Sequence, residues 1–215
     1  PKVELHRHLE GSLRLSTLVE IAKKFAIDLP GNGDLGPQVQ ILHSETRTSE
    51  NFLSKFEVLR NFFRSPEIIT RISEEAIADA AADNIRYLEL RFTPAALSKT
   101  AGFSIGDVLD WVIQGVQAGQ DLHKISTRLL VSINRHESLE LAHRAAKEAA
   151  DRIDSGIVGL DLAGDESHFP AAPFEPIFRA ARQSGLRTTI TRCARWLRSS
   201  RRQCSSRAMS AMHPL

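Results

Sequence analysis

The chain has 215 residues, of which 42% are hydrophobic and 25% charged, with 12 Gly and 9 Pro. These values lie near the average of soluble globular proteins and exclude a long disordered, collagen-like or coiled-coil protein. No apolar run reaches the ~18–20 residues of a membrane span. No cysteine precedes Cys193, which excludes a disulfide framework in residues 1–191 and favours a reducing, cytoplasmic location.

The formal net charge of +2 hides two units of opposite charge. Residues 192–215 contain six Arg and five Ser, and no acidic residue. Without those six Arg, 22 basic residues face 26 acidic ones, a net charge of −4. We therefore expect an acidic unit over residues 1–191 and a separate Arg/Ser-rich unit over residues 192–215.

Apolar periodicity predicts strands and helices that alternate over residues 3–191. A strand at 3–8 precedes helices at 16–27, with Ser16 as the N-cap, at 48–63 and at 65–83. Further strands at 86–92, 127–133, 157–162 and 187–191 alternate with helices at 104–122, 138–153 and 174–184. This order is typical of βαβ units on a parallel sheet.

About five strands are predicted, whereas a closed barrel of this kind has eight. The fold class is therefore α/β, an incomplete parallel (β/α) barrel of the TIM type with an irregular tail at 192–215. We expect unpaired strand edges, exposed apolar faces and poor solubility of the isolated chain.

The first strand ends in a candidate metal site. Alternate residues of a strand point to the same face, so His6 and His8 project together while Arg7 points away. Two imidazoles can bind a divalent metal, and the carboxyl end of a barrel strand is where active sites lie. Two histidines that coincide without a ligand remain an alternative.

Two further segments carry polar residues on predicted strands. Gly164, followed by Asp165 and Glu166, would let the backbone approach a ligand closely, although a tight turn explains the same pattern. Glu89 and Arg91 share one face of a strand, where we expect an interior ion pair that fixes packing rather than a catalytic role.

Three segments of the chain together resemble the adenosine deaminase family, within the metal-dependent amidohydrolase superfamily. They read PKVELHRHLEGS at residues 1–12, AAADNIRYLELRFTP at 80–94 and GLDLAGDE at 159–166. They are similar to the family's opening and to its second and fourth barrel strands, in the family's order. The resemblance covers residues 1 to about 191.

The resemblance implies a site at a few matched positions. The first two zinc ligands fall on His6 and His8, so Zn²⁺ is the implied cofactor. The substrate-binding positions are His8, Glu10, which would contact the sugar or purine, and Gly164, whose backbone would meet the purine. A solvated acid at a strand end is the alternative for Glu10. The helix with Phe56 would line the site, unless Phe56 is ordinary core.

The resemblance also implies the reaction, which is zinc-dependent hydrolytic deamination. The 6-amino group of adenosine becomes a 6-oxo group and ammonia leaves, a step of purine salvage. Adenine or aminodeoxyfutalosine is the alternative substrate. The expected partner is thus a small purine nucleoside or base, with no membrane involved.

The match ends where the family carries a His-Ala-Gly-Glu motif with its third zinc ligand and proton-shuttling glutamate. This chain reads TITRCA at residues 189–194, so no catalytic residue is assigned. A catalytically inactive truncated fragment is therefore a second hypothesis, of another class.

The tail at 192–215 is interpreted as out-of-frame translation, because it has no periodicity and no acidic residue. An Arg/Ser arm that binds nucleic acid is the less favoured interpretation.

Overall fold

The computed structural model of the chain describes residues 1–27, 35–42, 44–46 and 48–191. Five strands form one sheet: β1 (Lys2–His8), β2 (Ile85–Phe92), β3 (Ser126–Asn134), β4 (Ile157–Ala163) and β5 (Arg187–Ile190). The described helices are α1 (Leu15–Phe25), α2 (Gly36–Val39), α3 (Ser49–Arg60), α4 (Pro66–Ala82), α5 (Pro94–Lys99), α6 (Ile105–His123), α7 (Leu139–Ala150) and α8 (Glu175–Gln183). Single 3-10 turns lie at Leu9–Gly11, Ile153–Ser155 and Ala172–Phe174.

The sheet has the strand order β1-β2-β3-β4-β5, and every neighbouring pair is parallel. Helices connect each strand to the next one. The five strands curl into a half-barrel. The predicted fold class and strand count are therefore confirmed. Because all strands run the same way, their carboxyl ends lie together at one end of the half-barrel, where the candidate residues also lie. We call this end of the half-barrel its carboxyl edge.

The hydrophobic core lies between the sheet and its outer helices. The helices α4 and α6 approach each other closely at Gly115, where an added Cβ would lie 2.2 Å from the Thr70 carbonyl oxygen and 2.8 Å from Ser73 Cβ. Only glycine permits this contact between the helices. Large side chains that are fully buried include Phe62, Phe63, Phe92, Leu9, Leu18, Ile69, Ile72, Ile77, Ile85, Leu88, Leu90 and Leu97.

The predicted N-cap of the first helix is wrong. The N-cap position of α1 is Arg14, in an extended conformation and without a capping side chain. The Arg14 guanidinium instead pairs with the Asp79 carboxylate of α4 at 2.6 Å, a tertiary contact that local sequence does not reveal. Thr48 and Ser65 do cap α3 and α4, by accepting from the backbone N–H groups of Asn51 and Ile68.

Both outer strands of the described sheet pair on one side only. Side chains at these edges are open to solvent, with Val3 60%, Leu5 55% and Ile190 50% exposed. The expected unpaired edges are therefore present in the described sheet, and poor solubility stays a prediction.

Two further expectations concern a membrane span and the C-terminal tail. No helix among the described residues is long and apolar enough to cross a membrane. The tail at 192–215, with its proposed change of reading frame and its alternative nucleic-acid-binding role, lies outside the described residues.

The close contact of α4 with α6 leads to a stability prediction. Gly115→Ala gains up to ~1 kcal/mol of helix propensity, but it places a methyl group against the Thr70 carbonyl, and overpacking costs about 1–3 kcal/mol. We expect a lower free energy of unfolding, measured by urea denaturation. Gln117→Ala, at an exposed position of α6, is the control and should not be destabilised. A Gly115→Ala variant as stable as the parent chain would contradict the packing argument.

Candidate active site

The two predicted histidines meet at the carboxyl end of β1. The Nε2 atoms of His6 and His8 are 3.2 Å apart, and their ring centroids are 5.2 Å apart. Arg7 points away and pairs with Glu4, with 2.8 Å between the guanidinium and the carboxylate. The alternation predicted for this strand therefore places both imidazoles on one side, and their Nε2 atoms converge.

The spacing of the two nitrogen atoms fits a shared metal ion. Two imidazole nitrogens on one tetrahedral zinc, each at ~2.0–2.1 Å, lie about 3.3–3.4 Å apart. The 3.2 Å separation also suits a hydrogen bond between neutral rings, in which one Nε2–H donates to the other Nε2. Within the described ranges, no group of three or more His, Cys, Asp or Glu side chains could hold a metal. The described residues thus offer two ligands of a site.

Both histidines are kept neutral by their surroundings. Burial, and then the Arg91 charge, lowers the pKa of His6 to about 4 and that of His8 to about 3. Arg60 adds to the effect on His8, whereas His8 itself adds to the effect on His6. The His6 side chain is more exposed than that of His8, so water opposes the effect of burial more strongly at His6. Neutral imidazoles have the lone pairs that a metal requires.

Glu10 lies in the 3-10 turn that follows β1 and is only 1% exposed. Its Oε1 accepts a hydrogen bond from the Thr93 backbone N–H at 2.9 Å and lies 3.9 Å from the Arg60 guanidinium. Its Oε2 is buried without a hydrogen-bond partner. The interpretation of Glu10 as a solvated acid is therefore wrong, because the side chain is held inside the protein with one oxygen left over.

Gly164 directly follows β4 and has a φ of +100°, a conformation that L residues rarely adopt. An added Cβ would still have room, since its nearest neighbour would be the Arg135 backbone nitrogen at 3.5 Å. The Asp165 carboxylate accepts from the Ser167 N–H at 2.8 Å and pairs with His168. The turn interpretation thus accounts for Asp165. Gly164 has no side chain that would cover its backbone atoms.

Phe56 of α3 packs against the histidine pair. Its ring meets that of His8 edge to face, with 5.7 Å between the centroids, and Phe52 lies 5.1 Å beyond it in a similar arrangement. Phe56 is 7% exposed, so it is a core residue that also lines the site. The two interpretations of this position are compatible.

A buried ion pair lies inside the half-barrel, and it differs from the expected one. Arg91 pairs with Asp161 at 3.3 Å rather than with Glu89, and the two side chains are 5% and 0% exposed. Thr191 donates its hydroxyl to the Asp161 carboxylate at 3.0 Å. Burial raises the pKa of Asp161, while Arg91 and Thr191 act in the opposite direction.

The correct partner of Arg91 was missed because Asp161 is 70 residues away along the chain. A signal existed, since each charged residue stands between two large apolar residues near the carboxyl end of a predicted strand. Such a charge is seldom buried unless it is paired. Glu89 instead accepts a hydrogen bond from the Tyr87 hydroxyl at 3.3 Å.

Comparison with known proteins agrees with this architecture. The profile of the family described as adenosine deaminase matches residues 1–192. The chain belongs to the adenosine deaminase family. The resemblance found in the three segments is thereby confirmed.

The individual relatives match a similar share of this chain. An adenosine deaminase of Clostridium perfringens (strain SM101, type A) is 34% identical over 191 residues, which are 88% of this chain and 57% of that protein. An amidohydrolase from Burkholderia ambifaria, solved with bound Zn, has a TM-score of 0.77 and 26% identity over 88% of this chain and 51% of its own. The Arabidopsis protein ADAL in complex with GMP has a TM-score of 0.76 and 32% identity over 88% and 57%. The chain thus spans a little over half the length of these relatives.

The lowered pKa of His8 predicts a pH-dependent stability of the metal-free chain. A histidine whose folded-state pKa is depressed takes up a proton more readily when unfolded, so stability falls as the pH drops below the ordinary value of ~6.5. Each such group contributes a slope of up to about 1.4 kcal/mol per pH unit. His8→Gln should therefore lose less stability than the parent chain between about pH 7 and about pH 5.

The measurement is urea denaturation at several pH values with a chelator present. His143→Gln, at an exposed position of α7, is the control. Equal pH dependence in His8→Gln and the parent chain would show that His8 is not held neutral by the fold.

Proposed function

We propose that this chain is the histidine-bearing, purine-binding part of a zinc-dependent adenosine deaminase. The reaction replaces the 6-amino group of adenosine by a 6-oxo group and releases ammonia. The convergence of the two Nε2 atoms to 3.2 Å, in a member of the adenosine deaminase family, carries the proposal. A relative at 34% identity is named adenosine deaminase. Because the chain spans 57% of that relative, the activity is proposed for the whole protein.

In this proposal His6 and His8 hold the metal through Nε2. Zinc, when bound, supplies a Lewis acid that activates water at neutral pH. The Burkholderia neighbour, solved with bound Zn, supports the choice of metal. Phe56 packs against the His8 ring, which limits the positions open to that imidazole.

Glu10 is proposed to bind the substrate through Oε2. One carboxylate oxygen is occupied by the Thr93 N–H, and the other is buried without a partner. Such an atom costs about 1–3 kcal/mol unless it is hydrogen-bonded. A hydroxyl of the sugar or an N–H of the purine would supply the missing bond. Gly164 is proposed to present its backbone to the purine.

The proposed substrate is a purine compound with a 6-amino group. Adenosine is favoured, with adenine and aminodeoxyfutalosine as alternatives. The Arabidopsis neighbour was solved with GMP, which supports a purine compound as the ligand. A place in purine salvage and a cytoplasmic location stay predictions from sequence.

A second candidate, of another class, is a chain that binds zinc and purine without turnover. It is favoured by the two ligands that the described residues provide, since catalytic zinc uses three protein ligands.

We also propose that residues 192–215 are a separate unit, a division supported by the family match that ends at residue 192.

Zinc content and turnover together separate these two candidates. We expect the parent chain to bind zinc, and His6→Ala with His8→Ala to abolish the binding, because both Nε2 atoms are lost. Loss of the adenosine ultraviolet band in the presence of zinc would show that this chain itself deaminates and would exclude the second candidate. Zinc binding without turnover supports the second candidate for this chain and leaves the activity to the whole protein. His143→Ala, at an exposed position of α7, is the matched control and should bind zinc as the parent chain does. A parent chain that binds no zinc contradicts the metal site itself.

The proposed role of Gly164 predicts a loss of purine binding on substitution. Gly164→Ala and Gly156→Ala change two glycines of similar φ, +100° and +103°, so each should cost about 1–2 kcal/mol of stability. Only Gly164→Ala should also weaken the binding of inosine, the 6-oxo product of the proposed reaction. We expect the affinity to fall ~10-fold or more, because one methyl group blocks the contact. Calorimetric titration of the zinc-loaded variants measures this. Equal affinities for the two variants would remove Gly164 from the proposed site.

A further inference from the structure

We propose that Arg91 is a positioning residue for the histidine pair. Its guanidinium holds an irregular segment of β1 in the shape that makes the two imidazoles converge. This inference rests on the proposed role of His6 and His8 as metal ligands.

The irregular segment is a β-bulge at the first of the two histidines. Glu4 pairs with Leu88 of β2, and the next pair joins Arg7 to Leu90. Two residues of β1, Leu5 and His6, therefore oppose the single residue Glu89. A bulge bends its strand and re-aims the side chains beside it. The direction of the His6 ring thus depends on a segment that regular pairing with β2 does not hold.

Arg91 provides the missing constraint from the neighbouring strand. Its Nη2 donates to the carbonyl oxygen of Leu5, within the bulge, at 3.1 Å. Its Nη1 donates to Asp161 Oδ2 and to the Thr191 hydroxyl, both at 3.3 Å. One guanidinium therefore links the bulge to β4 and to the end of β5.

The link is stiff at its centre, because the ion pair of Arg91 and Asp161 is buried. The two side chains are 5% and 0% exposed, so the guanidinium cannot leave the carboxylate without leaving a buried charge unpaired, which is strongly unfavourable. The planar fork of an arginine then fixes the direction in which Nη2 points. The Leu5 carbonyl, and with it the backbone just before His6, is held where that donor lies.

A lysine at position 91 could keep the ion pair but could not keep the fork. Its single ammonium on a shorter stem cannot reproduce the fixed pair of donors directed at Asp161 and at Leu5. The bulge would then lose its tether while the buried charge remains paired. Substitution of a group that orients metal ligands lowers metal affinity by about 10–100-fold.

The test compares zinc affinity with stability in the same variants. Zinc affinity is measured by competition with a chromophoric chelator, and stability by thermal unfolding of the metal-free chain. We expect Arg91→Lys to bind zinc ~10-fold or more weakly than the parent chain. Arg86→Lys, at an exposed position of the same strand, should bind zinc as the parent chain does. Gly115→Ala, destabilised at a distant helix contact, should retain zinc affinity at temperatures where it is folded.

A second variant covers the case in which Arg91→Lys does not fold. Arg91→Met combined with Asp161→Asn removes both buried charges together, so neither is left unpaired, and it should lose zinc affinity to a similar extent. Parent-like zinc affinity in a folded Arg91 variant overturns the positioning role and leaves the metal site intact. A parent chain that binds no zinc overturns the metal site, and this inference with it.

Discussion

The buried pair of Arg91 and Asp161 connects the separate parts of the described sheet. Arg91 stands on β2, its partner stands on β4, and the same guanidinium contacts a β1 carbonyl and the hydroxyl of Thr191 after β5. Buried charges of this kind are costly to separate, so the relative positions of these strands are strongly specified. The histidine pair lies at the edge of this network and depends on it for its geometry. The charge of Arg91 also helps to keep both imidazoles neutral.

The two faces of the half-barrel have different tasks. The outer face carries the hydrophobic core, in which α4 and α6 approach so closely that Gly115 has no room for a side chain. The inner face and the carboxyl edge carry the polar groups, with Glu10, Arg91 and Asp161 all nearly inaccessible to water. Stability thus comes from apolar packing on one side, which leaves the other side able to hold charged groups that packing alone would exclude.

Several buried polar atoms at this edge lack partners within the described part of the chain. They include Glu10 Oε2, Arg60 Nε and Arg91 Nε. Buried polar atoms in folded proteins are normally hydrogen-bonded, and exceptions call for a functional explanation. The polar purine ligand proposed above would place new hydrogen-bond partners in this region. The unsatisfied atoms therefore support the proposed ligand site beside the converging imidazoles.

The amino-acid sequence alone determined the alternation of strands and helices and the parallel half-barrel, because these follow from periodicity. Strand alternation also predicted that His6 and His8 share a face, but the bulge at Leu5 and His6 appears only in the tertiary structure. Three segments were enough to indicate the family, which the profile match then confirmed. Only the tertiary structure decided that Arg91 pairs with Asp161 rather than Glu89, that Glu10 is buried, and that Arg14, at the N-cap position of α1, pairs with Asp79. Each of these depends on residues 65 or more positions apart, and a local pattern contains no information about which distant side chain will arrive.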